Sequence, residues 1–147
     1  MRRYVLGFML DSTMSSVLLI RKRRPSWQAG RLNGIGGSTE PGETPFQAMI
    51  REFREETGVR HEAWIRFQTL AFPEAEVVCF AAHSDAALKL ARTVTDEPIL
   101  HVAVNAIPDD PVMDLARLVP LAIRAADRDR RCVSIRPWPM IDPHAGK

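Results

Sequence analysis

Residues 37–59 read GSTEPGETPFQAMIREFREETGV, and our expectations for the fold and the chemistry start from this stretch. It holds five acids and two bases, although the chain as a whole has a formal net charge of +2. Glu52, Glu55 and Glu56 stand at positions i, i+3 and i+4, which a helix of about 3.6 residues per turn places within an arc of roughly 100°. Carboxylates that close repel one another, so this face needs either solvent or a cation.

Both ends of the predicted helix carry their own signal. Thr44 and Gln47 have the spacing of a capping box, and Pro45 stands at the first helical position, where its missing N–H costs nothing. Gly58 stands where a left-handed residue ends a helix. We therefore predict a helix over 45–57. Its apolar stripe, at positions i, i+3, i+4 and i+7, consists of Phe46, Met49, Ile50 and Phe53.

The neighbouring acidic face indicates a site for a hard cation. Carboxylate oxygens suit Mg²⁺ or Mn²⁺, and this stretch contains no Cys or His that would favour zinc. Mg²⁺ is commonly held by a few carboxylates together with substrate phosphates, which points to a phosphorylated substrate. Arg51 precedes Glu55 by four residues and is placed to pair with it. A solvated acidic helix face is the alternative interpretation.

The complete spacing of the stretch resembles the Nudix box. Its fixed positions are Gly37, Glu43, Arg51-Glu52, Glu55-Glu56 and Gly58, and Phe53 and Val59 fill its two hydrophobic positions. Upstream, Trp27, Gly30, Leu32, Asn33, Gly34, Gly36 and Gly37 resemble the W-x-x-G-x-L-N-G-x-G-G approach of many Nudix proteins. The resemblance implies metal-dependent hydrolysis of a pyrophosphate bond. It also implies an α/β/α Nudix sandwich with a mixed β-sheet between helices.

The resemblance further implies roles for individual residues. Mg²⁺, with Mn²⁺ as the alternative, would be held by the Gly37 carbonyl, Glu52, Glu55 and Glu56. Glu52 is the first candidate for the base that takes a proton from the attacking water, and Glu97 is the second. Glu43 is expected to support the loop or the outer metal shell. The full sets are these: catalytic Glu52, Arg51, Glu55, Glu56 and Glu97; substrate-binding Arg21, Arg23, Trp27, Asn33 and Gly36.

Several of these residues also have a structural interpretation. Arg21 or Arg23 is a phosphate contact or part of a solvated strand edge, because alternate strand residues face opposite sides. Trp27 either stacks on a nucleobase or packs against the protein. Glu97 lies in an acidic turn, Thr95-Asp96-Glu97-Pro98, which is either catalytic or simply exposed.

The substrate is less clearly indicated than the reaction. The L-N-G-x-G-G approach most resembles the branch that clears nucleoside triphosphates, including oxidised guanine nucleotides, with release of a monophosphate and pyrophosphate. ADP-ribose or a dinucleoside polyphosphate is the alternative. For ADP-ribose, Pro73 lies fourteen residues after Val59, near the position where the branch that hydrolyses ADP-ribose carries a proline. The strand after Glu97 lacks the tryptophan that many nucleotide-clearing relatives carry there. A nucleotide-binding regulatory domain without catalysis is a third hypothesis, although the box has lost none of its acids.

Composition bounds the class of protein. A chain of 147 residues, 46% hydrophobic and 26% charged, fits one globular domain, which we place at 1–136 with a proline-rich tail at 137–147. The basic runs at 21–24 and 128–131 are too small for a nucleic-acid-binding face. Cys79 and Cys132 lack any metal or disulfide spacing, and no apolar run is long enough to span a membrane. We expect a cytoplasmic monomer or homodimer that acts on a small nucleotide.

The remaining elements follow from periodicity and turn residues. Two hairpins are predicted, from strands at 4–10 and 17–23 and from strands at 63–70 and 75–82. Residues 84–93 form a short helix or a loop, 99–106 a strand, 110–127 a closing helix kinked at Pro120, and 132–135 a short strand. The segment at 27–42 is too rich in glycine for a helix and is predicted to approach a ligand closely.

Overall fold

The computed structural model of the chain describes residues 1–134, and within them one mixed β-sheet lies between helices. The strands are β1 (Arg2–Leu10), β2 (Ser16–Arg21), β3 (Leu32–Asn33), β4 (Ile35–Ser38), β5 (Ile65–Phe72), β6 (Ala75–His83) and β7 (Ile99–Ala103). The helices are α1 (Pro45–Thr57), α2 (Asp85–Leu90) and α3 (Leu115–Ser134), with single 3₁₀ turns at Ser26–Gln28 and Val104–Ala106.

Strand β1 lies at the centre of the sheet. It runs parallel to β6 and antiparallel to β2 and β4, so the predicted mixed sheet is confirmed. The main path of the sheet is β3-β2-β1-β6-β5, with β4 paired to β1 and β7 paired to β2. This pairing brings the glycine-rich strand β4 beside the middle of the sheet, where α1 covers it.

Side chains alternate between the two faces of the sheet and form two cores. Val5 and Met9 of β1 pack with Met49 and Phe53 of α1 on one face. Phe8 and Leu10 pack on the other face, against the buried side of α3. Because β-strand residues alternate in direction, one strand supplies both cores. The predicted sandwich with helices on both faces is therefore confirmed.

Helix α1 has the bounds that its sequence predicts. The Thr44 hydroxyl accepts a hydrogen bond from Gln47 N, and Gln47 Oε1 accepts one from Thr44 N, which completes the capping box. Gly58 closes the helix with φ 81°. The predicted apolar stripe was wrong at Phe46, which is exposed. Phe46 lies in the first turn of α1, where its ring meets the ring of Phe80 edge to face.

Both predicted hairpins are present. Leu10 pairs with Val17 across the first, where Asp11 Oδ1 accepts hydrogen bonds from the amides of Ser15 and Ser16. Phe72 pairs with Ala75 across the second, so Pro73 lies in its tight turn. Of the two interpretations of residues 84–93, the helix is correct for α2, which Ser84 caps.

The structure corrects two predictions near the glycine-rich segment. Strand β2 ends at Arg21 rather than at residue 23, because the Arg23 amide donates to the Glu97 carboxylate instead of to a neighbouring strand. The segment 27–42 is also not one loop, since part of it forms β3 and β4. At Gly36 a side chain would lie 1.9 Å from Val5 O, so glycine allows β4 to pair closely with β1.

The C-terminal predictions also need correction. Strand β7 ends at Ala103, and α3 begins at Leu115 instead of Asp110, because Asp110 caps a separate turn and Asp114 has φ 56°. Consequently Val112 is exposed and does not belong to the apolar face of α3. The predicted strand at 132–135 is wrong for residues 132–134, because they belong to α3. Ile135 and the predicted tail at 137–147 lie outside the described residues.

In residues 1–134 we find no helix with the length and apolar character that a membrane span requires.

Candidate active site

Helix α1 places Glu52 directly against the glycine of β4. A β-carbon on Gly37 would lie 2.5 Å from Glu52 Oε1, so the absence of a side chain at Gly37 makes room for the carboxylate. The Glu52 side chain is 13% exposed. Gly37 on β4 and Glu52 on α1 therefore lie side by side, although the loop before α1 separates them in the sequence.

Arg51 organises the acidic residues around it. Its guanidinium donates to both carboxylate oxygens of Glu43, at 2.7 and 2.9 Å, and to Glu52 Oε1 at 2.9 Å. It also donates to Ser38 O at 3.0 Å, and the predicted pair with Glu55 is present at 3.3 Å. Glu43 in turn accepts from Glu40 N, so it supports the loop before α1 as expected.

The predicted group of three carboxylates is not assembled in the described structure. In residues 1–134 no three Asp, Glu, His or Cys side chains are grouped so that together they could hold a metal ion. Glu55 is 56% exposed and pairs with Arg51. Glu52 and Glu56 are partly buried, and the Oε2 atom of Glu56 is fully buried.

Glu56 is the most perturbed carboxyl group of this site. Its Oε2 is buried and has no hydrogen-bond partner among the described residues. Burial, together with the charge of Glu52, raises the pKa of Glu56 to about 8, while Lys22 and the Gly36 backbone act in the opposite direction. Burial also raises the pKa of Glu52, although the hydrogen bond from Arg51 opposes this shift.

These features fit a divalent cation. A buried carboxylate oxygen without a partner costs free energy, and a cation would satisfy it while removing the repulsion between Glu52 and Glu56. Mg²⁺ usually needs one or two carboxylates and completes its shell with water and substrate phosphates. Two partly buried carboxylates are therefore a sufficient protein contribution. The Gly37 carbonyl as a further ligand stays a prediction.

Glu97 is placed differently from the exposed turn that its sequence context suggests. It is 6% exposed. Its Oε1 accepts from Lys22 Nζ at 3.1 Å, and its Oε2 accepts from Arg23 N at 2.7 Å. Burial alone would raise the pKa of Glu97, but these donors hold the pKa below its ordinary value. Because both oxygens are engaged, Glu97 is poorly suited to accept a proton from water.

The basic residues at 21–24, at the end of β2 and just after it, have different surroundings. The Arg21 guanidinium donates to Gly30 O at 2.9 Å, so Arg21 has a partner within the protein. Arg24 pairs with Asp96. The Arg23 side chain is exposed. Trp27 is 59% exposed, which removes the interpretation of Trp27 as a packing residue.

Asn33 and Gly36 lie on the short strands beside this run. Asn33 Oδ1 accepts from Gly34 N at 2.8 Å, while its amide nitrogen lies 3.4 Å from Gln28 Oε1. Gly36 packs against the β1 backbone. Their roles in substrate binding stay predictions.

Lys22 was missed as a site residue, although a signal for it exists in the sequence. Ile20 belongs to the core beneath α1, and Lys22 follows it by two residues. The strand period therefore places Lys22 on the α1 side, toward the acids, and Arg21 on the opposite side. This inference requires knowing which face of β2 packs against α1, and the sequence does not give that.

Comparisons with known proteins agree on the kind of domain. A sequence model of the NUDIX domain matches residues 1–122. The 8-oxo-dGTP diphosphatase of Escherichia coli (strain K12) is 32% identical over 65 residues, which are 43% of this chain and 50% of that protein. The match thus spans half the length of that relative.

Two solved structures share the fold. One comes from work on MutT from Aliivibrio salmonicida and Vibrio cholerae, with 21% identity and a TM-score of 0.68 over 84% of this chain and 98% of the other. The second is a MutT NUDIX hydrolase from Burkholderia pseudomallei, with 20% identity and a TM-score of 0.65 over 84% of this chain and 96% of the other. At these identities the likeness concerns the fold.

Proposed function

The chain belongs to the NUDIX domain family, and from this premise we propose that it is an enzyme that hydrolyses the pyrophosphate linkage of nucleoside triphosphates. Water adds to one phosphorus, and the products are a nucleoside monophosphate and pyrophosphate. Oxidised guanine nucleotides are the first substrates to test, because the similar E. coli protein is an 8-oxo-dGTP diphosphatase.

One observation carries the proposal: the buried, unpartnered Oε2 of Glu56 beside Glu52. A solvated acidic face would not contain a buried carboxyl group whose pKa is raised to about 8. A protein tolerates such a group where function requires it, so strongly perturbed acids in a family motif support catalysis.

Glu56 and Glu52 would hold the divalent cation, which we propose is Mg²⁺, with Mn²⁺ as the alternative. When bound, such an ion neutralises charge on phosphate oxygens and lowers the pKa of coordinated water. Arg51 would keep the site in order, because its contacts with Glu43 and Ser38 O fix the guanidinium that holds Glu52 Oε1. Glu55, exposed beside them, is a further ligand candidate.

Glu52 is the residue that we assign to take the proton from the attacking water. Its Oε1 is held by Arg51, which leaves Oε2 as the accepting atom. This assignment follows the family resemblance, because the pKa of Glu52 that burial raises in the metal-free protein would be lowered again by a bound cation. Glu97 is the second candidate, but its bonds to Lys22 and Arg23 disfavour it.

The segment after β2 would bind the nucleotide. Trp27 offers an exposed indole to a base, and the exposed Arg23 side chain offers a cation to phosphates. Arg21, Asn33 and Gly36 are further candidates, of which Arg21 already binds Gly30 O. The alternative substrates suggested by Pro73 gain no support from its position, because a proline in a hairpin turn has a structural role there.

The test is a turnover assay with Mg²⁺ over 8-oxo-dGTP, the four deoxynucleoside triphosphates, ADP-ribose and diadenosine tetraphosphate. We expect pyrophosphate release from a triphosphate, and monophosphate in equal amount. Preference for ADP-ribose or the dinucleotide would move the substrate to the alternative class. Tight nucleotide binding without turnover would mean a regulatory binding domain.

Glu56→Gln is the control for contaminating hydrolases. It removes a proposed metal ligand, so kcat should fall on the order of a hundredfold or more. A preparation in which this variant is as active as the wild type would show that the acidic face is not the site.

A further inference from the structure

The exposed Trp27 lies on a loop that has no core of its own. Residues 22–31, which we call the Trp27 loop, close on themselves: Lys22 N donates to Arg31 O at 2.8 Å, and Gly30 N donates to Lys22 O at 2.7 Å. The 3₁₀ turn at Ser26–Gln28, in the middle of the loop, contains no buried residue. Polar contacts must therefore determine where Trp27 stands.

Glu97 fixes the first half of the loop. Its buried carboxylate binds the Lys22 ammonium and the Arg23 amide. These contacts and the Arg24–Asp96 pair precede Trp27 by several residues. The 3₁₀ turn itself receives a hydrogen bond from the Asn33 amide to Gln28 Oε1, at 3.4 Å.

Arg31 makes a shorter contact with the turn, at Trp27 itself. Its Nε donates to the backbone oxygen of Trp27 at 3.1 Å, and its Nη1 donates to Asp110 Oδ1 at 2.6 Å. One planar guanidinium therefore joins Trp27 to a segment far along the chain. A lysine could not make both contacts in this fixed geometry.

Asp110 is itself held in place. Its Oδ1 also accepts from Val112 N at 3.0 Å, and its backbone oxygen accepts from Asp114 N at 2.9 Å. Between them Met113 is buried in the core beneath α3. The hydrogen bond from Arg31 lowers the pKa of Asp110, which keeps the pair charged. Asp110 thus connects the loop to a packed part of the fold.

We propose that Arg31 and Asp110 form a clasp that positions Trp27 for the nucleobase, and that both are positioning residues for substrate binding. The inference rests on the proposed function, because it takes Trp27 as the surface that receives the base. Glu52, Glu56 and Gly37 belong to other elements, so the clasp acts on binding of the nucleoside and leaves the phosphate chemistry to α1 and β4.

The test measures binding of two ligands by calorimetry in the presence of Mg²⁺: dGMP, which has a base, and inorganic pyrophosphate, which has none. Arg31→Ala should weaken dGMP binding about tenfold, the size expected when a base loses its aromatic partner. Pyrophosphate binding should be unchanged. Asp110→Asn, which keeps the shape and removes the charge, should act in the same direction and serves where Arg31→Ala fails to fold.

Two further variants separate a clasp from a general structural role. In a Trp27→Ala background, Arg31→Ala should cause no additional loss of dGMP binding. Arg117→Ala is the matched control, because it removes a pair with Asp114 at the same 2.6 Å distance near the start of α3 without touching the loop. It should leave both ligands unaffected.

The outcomes distinguish this proposal from the proposed function. Losses that are equal for dGMP and pyrophosphate, additive with Trp27→Ala, or reproduced by Arg117→Ala would overturn the clasp while turnover stands. If the wild type binds dGMP but hydrolyses no triphosphate, the proposed enzymatic function is wrong. The binding measurements on the variants then still decide whether the clasp exists. A wild type that does not bind dGMP would overturn the clasp.

Discussion

Gly37 and Glu52 touch across the boundary between β4 and α1: a methyl group on the Gly37 Cα would lie 2.7 Å from Glu52 Oε2 and 2.6 Å from its carboxyl carbon. The glycine is needed here because of space, since its backbone lies in an ordinary strand. The position of the proposed base therefore depends on the absence of a side chain at Gly37.

Gly37→Ala should lower kcat by about tenfold or more, because the new methyl group displaces Glu52, whose geometry sets the rate. The melting temperature should change little, since the obstructed group is the end of a flexible side chain. Gly42→Ala is the matched control. Gly42 has φ 80° and open space around it, so this variant should lose about 1 kcal/mol of stability and keep its activity. Equal kinetics for Gly37→Ala and the wild type would show that the space at Gly37 does not determine the position of Glu52.

Glu56 should make the metal-free protein less stable as the pH rises. Its folded-state pKa is raised to about 8, whereas the ordinary pKa of a glutamate is 4.5. Between these values the folded state keeps a proton that the unfolded state has released, so the free energy of unfolding falls with increasing pH, by at most roughly 5 kcal/mol. Glu56→Gln should remove this loss and be the more stable protein at pH 8.

The measurement is denaturant unfolding in EDTA from pH 5 to 8, with the wild type compared to Glu56→Gln. His61, whose pKa burial lowers, contributes with the opposite sign in part of this range, but it cancels in the difference between the two proteins. Glu55→Gln is the control, because that side chain is largely exposed. A difference between wild type and Glu56→Gln that does not vary with pH would refute the buried-acid interpretation.

Glu52→Gln and Glu97→Gln should differ in which kinetic constant they change, kcat or KM. Glu52→Gln removes the proposed base and should lower kcat by about a hundredfold or more with little change in KM. Glu97→Gln presents an amide to donors that now meet a carboxylate, so it should cost about 1–3 kcal/mol of stability and raise KM. Steady-state kinetics and thermal unfolding of both variants give the answer. A large loss of kcat confined to Glu97→Gln would make Glu97 the base.

Arg51→Lys should lose both stability and rate. The guanidinium serves Glu43, Ser38 O and Glu52 together, and an ammonium group lacks the planar fork that reaches all three. We expect a loss of about 1–3 kcal/mol in unfolding free energy and a lower kcat. Arg54→Lys, on the exposed side of the same helix, should behave as the wild type. If the two variants are alike, Arg51 does not organise the site.

The candidate site was predictable where the relevant contacts are local. The capping box at Thr44, the end of α1 at Gly58 and the spacing of Glu52 and Glu56 all depend on residues within one or two helical turns. Helix α3 was less predictable, because a long-range bond between Arg31 and Asp110 holds the turn before it. Similarly, burial of Glu97 depends on Lys22 and Arg23, which lie more than seventy residues away.

By itself, the sequence determined helix α1, the two hairpins, the sandwich that the family resemblance implies and the acids of the motif, because periodicity, capping and turn residues act over short distances. The tertiary structure alone decided how far each acid is withdrawn from solvent: Glu97 is buried beneath the Trp27 loop, Glu52 and Glu56 are partly buried against β4, and Glu55 is exposed. Burial and charge neighbours set the pKa of a carboxyl group, and both arise when strands and helices from distant parts of the chain pack together.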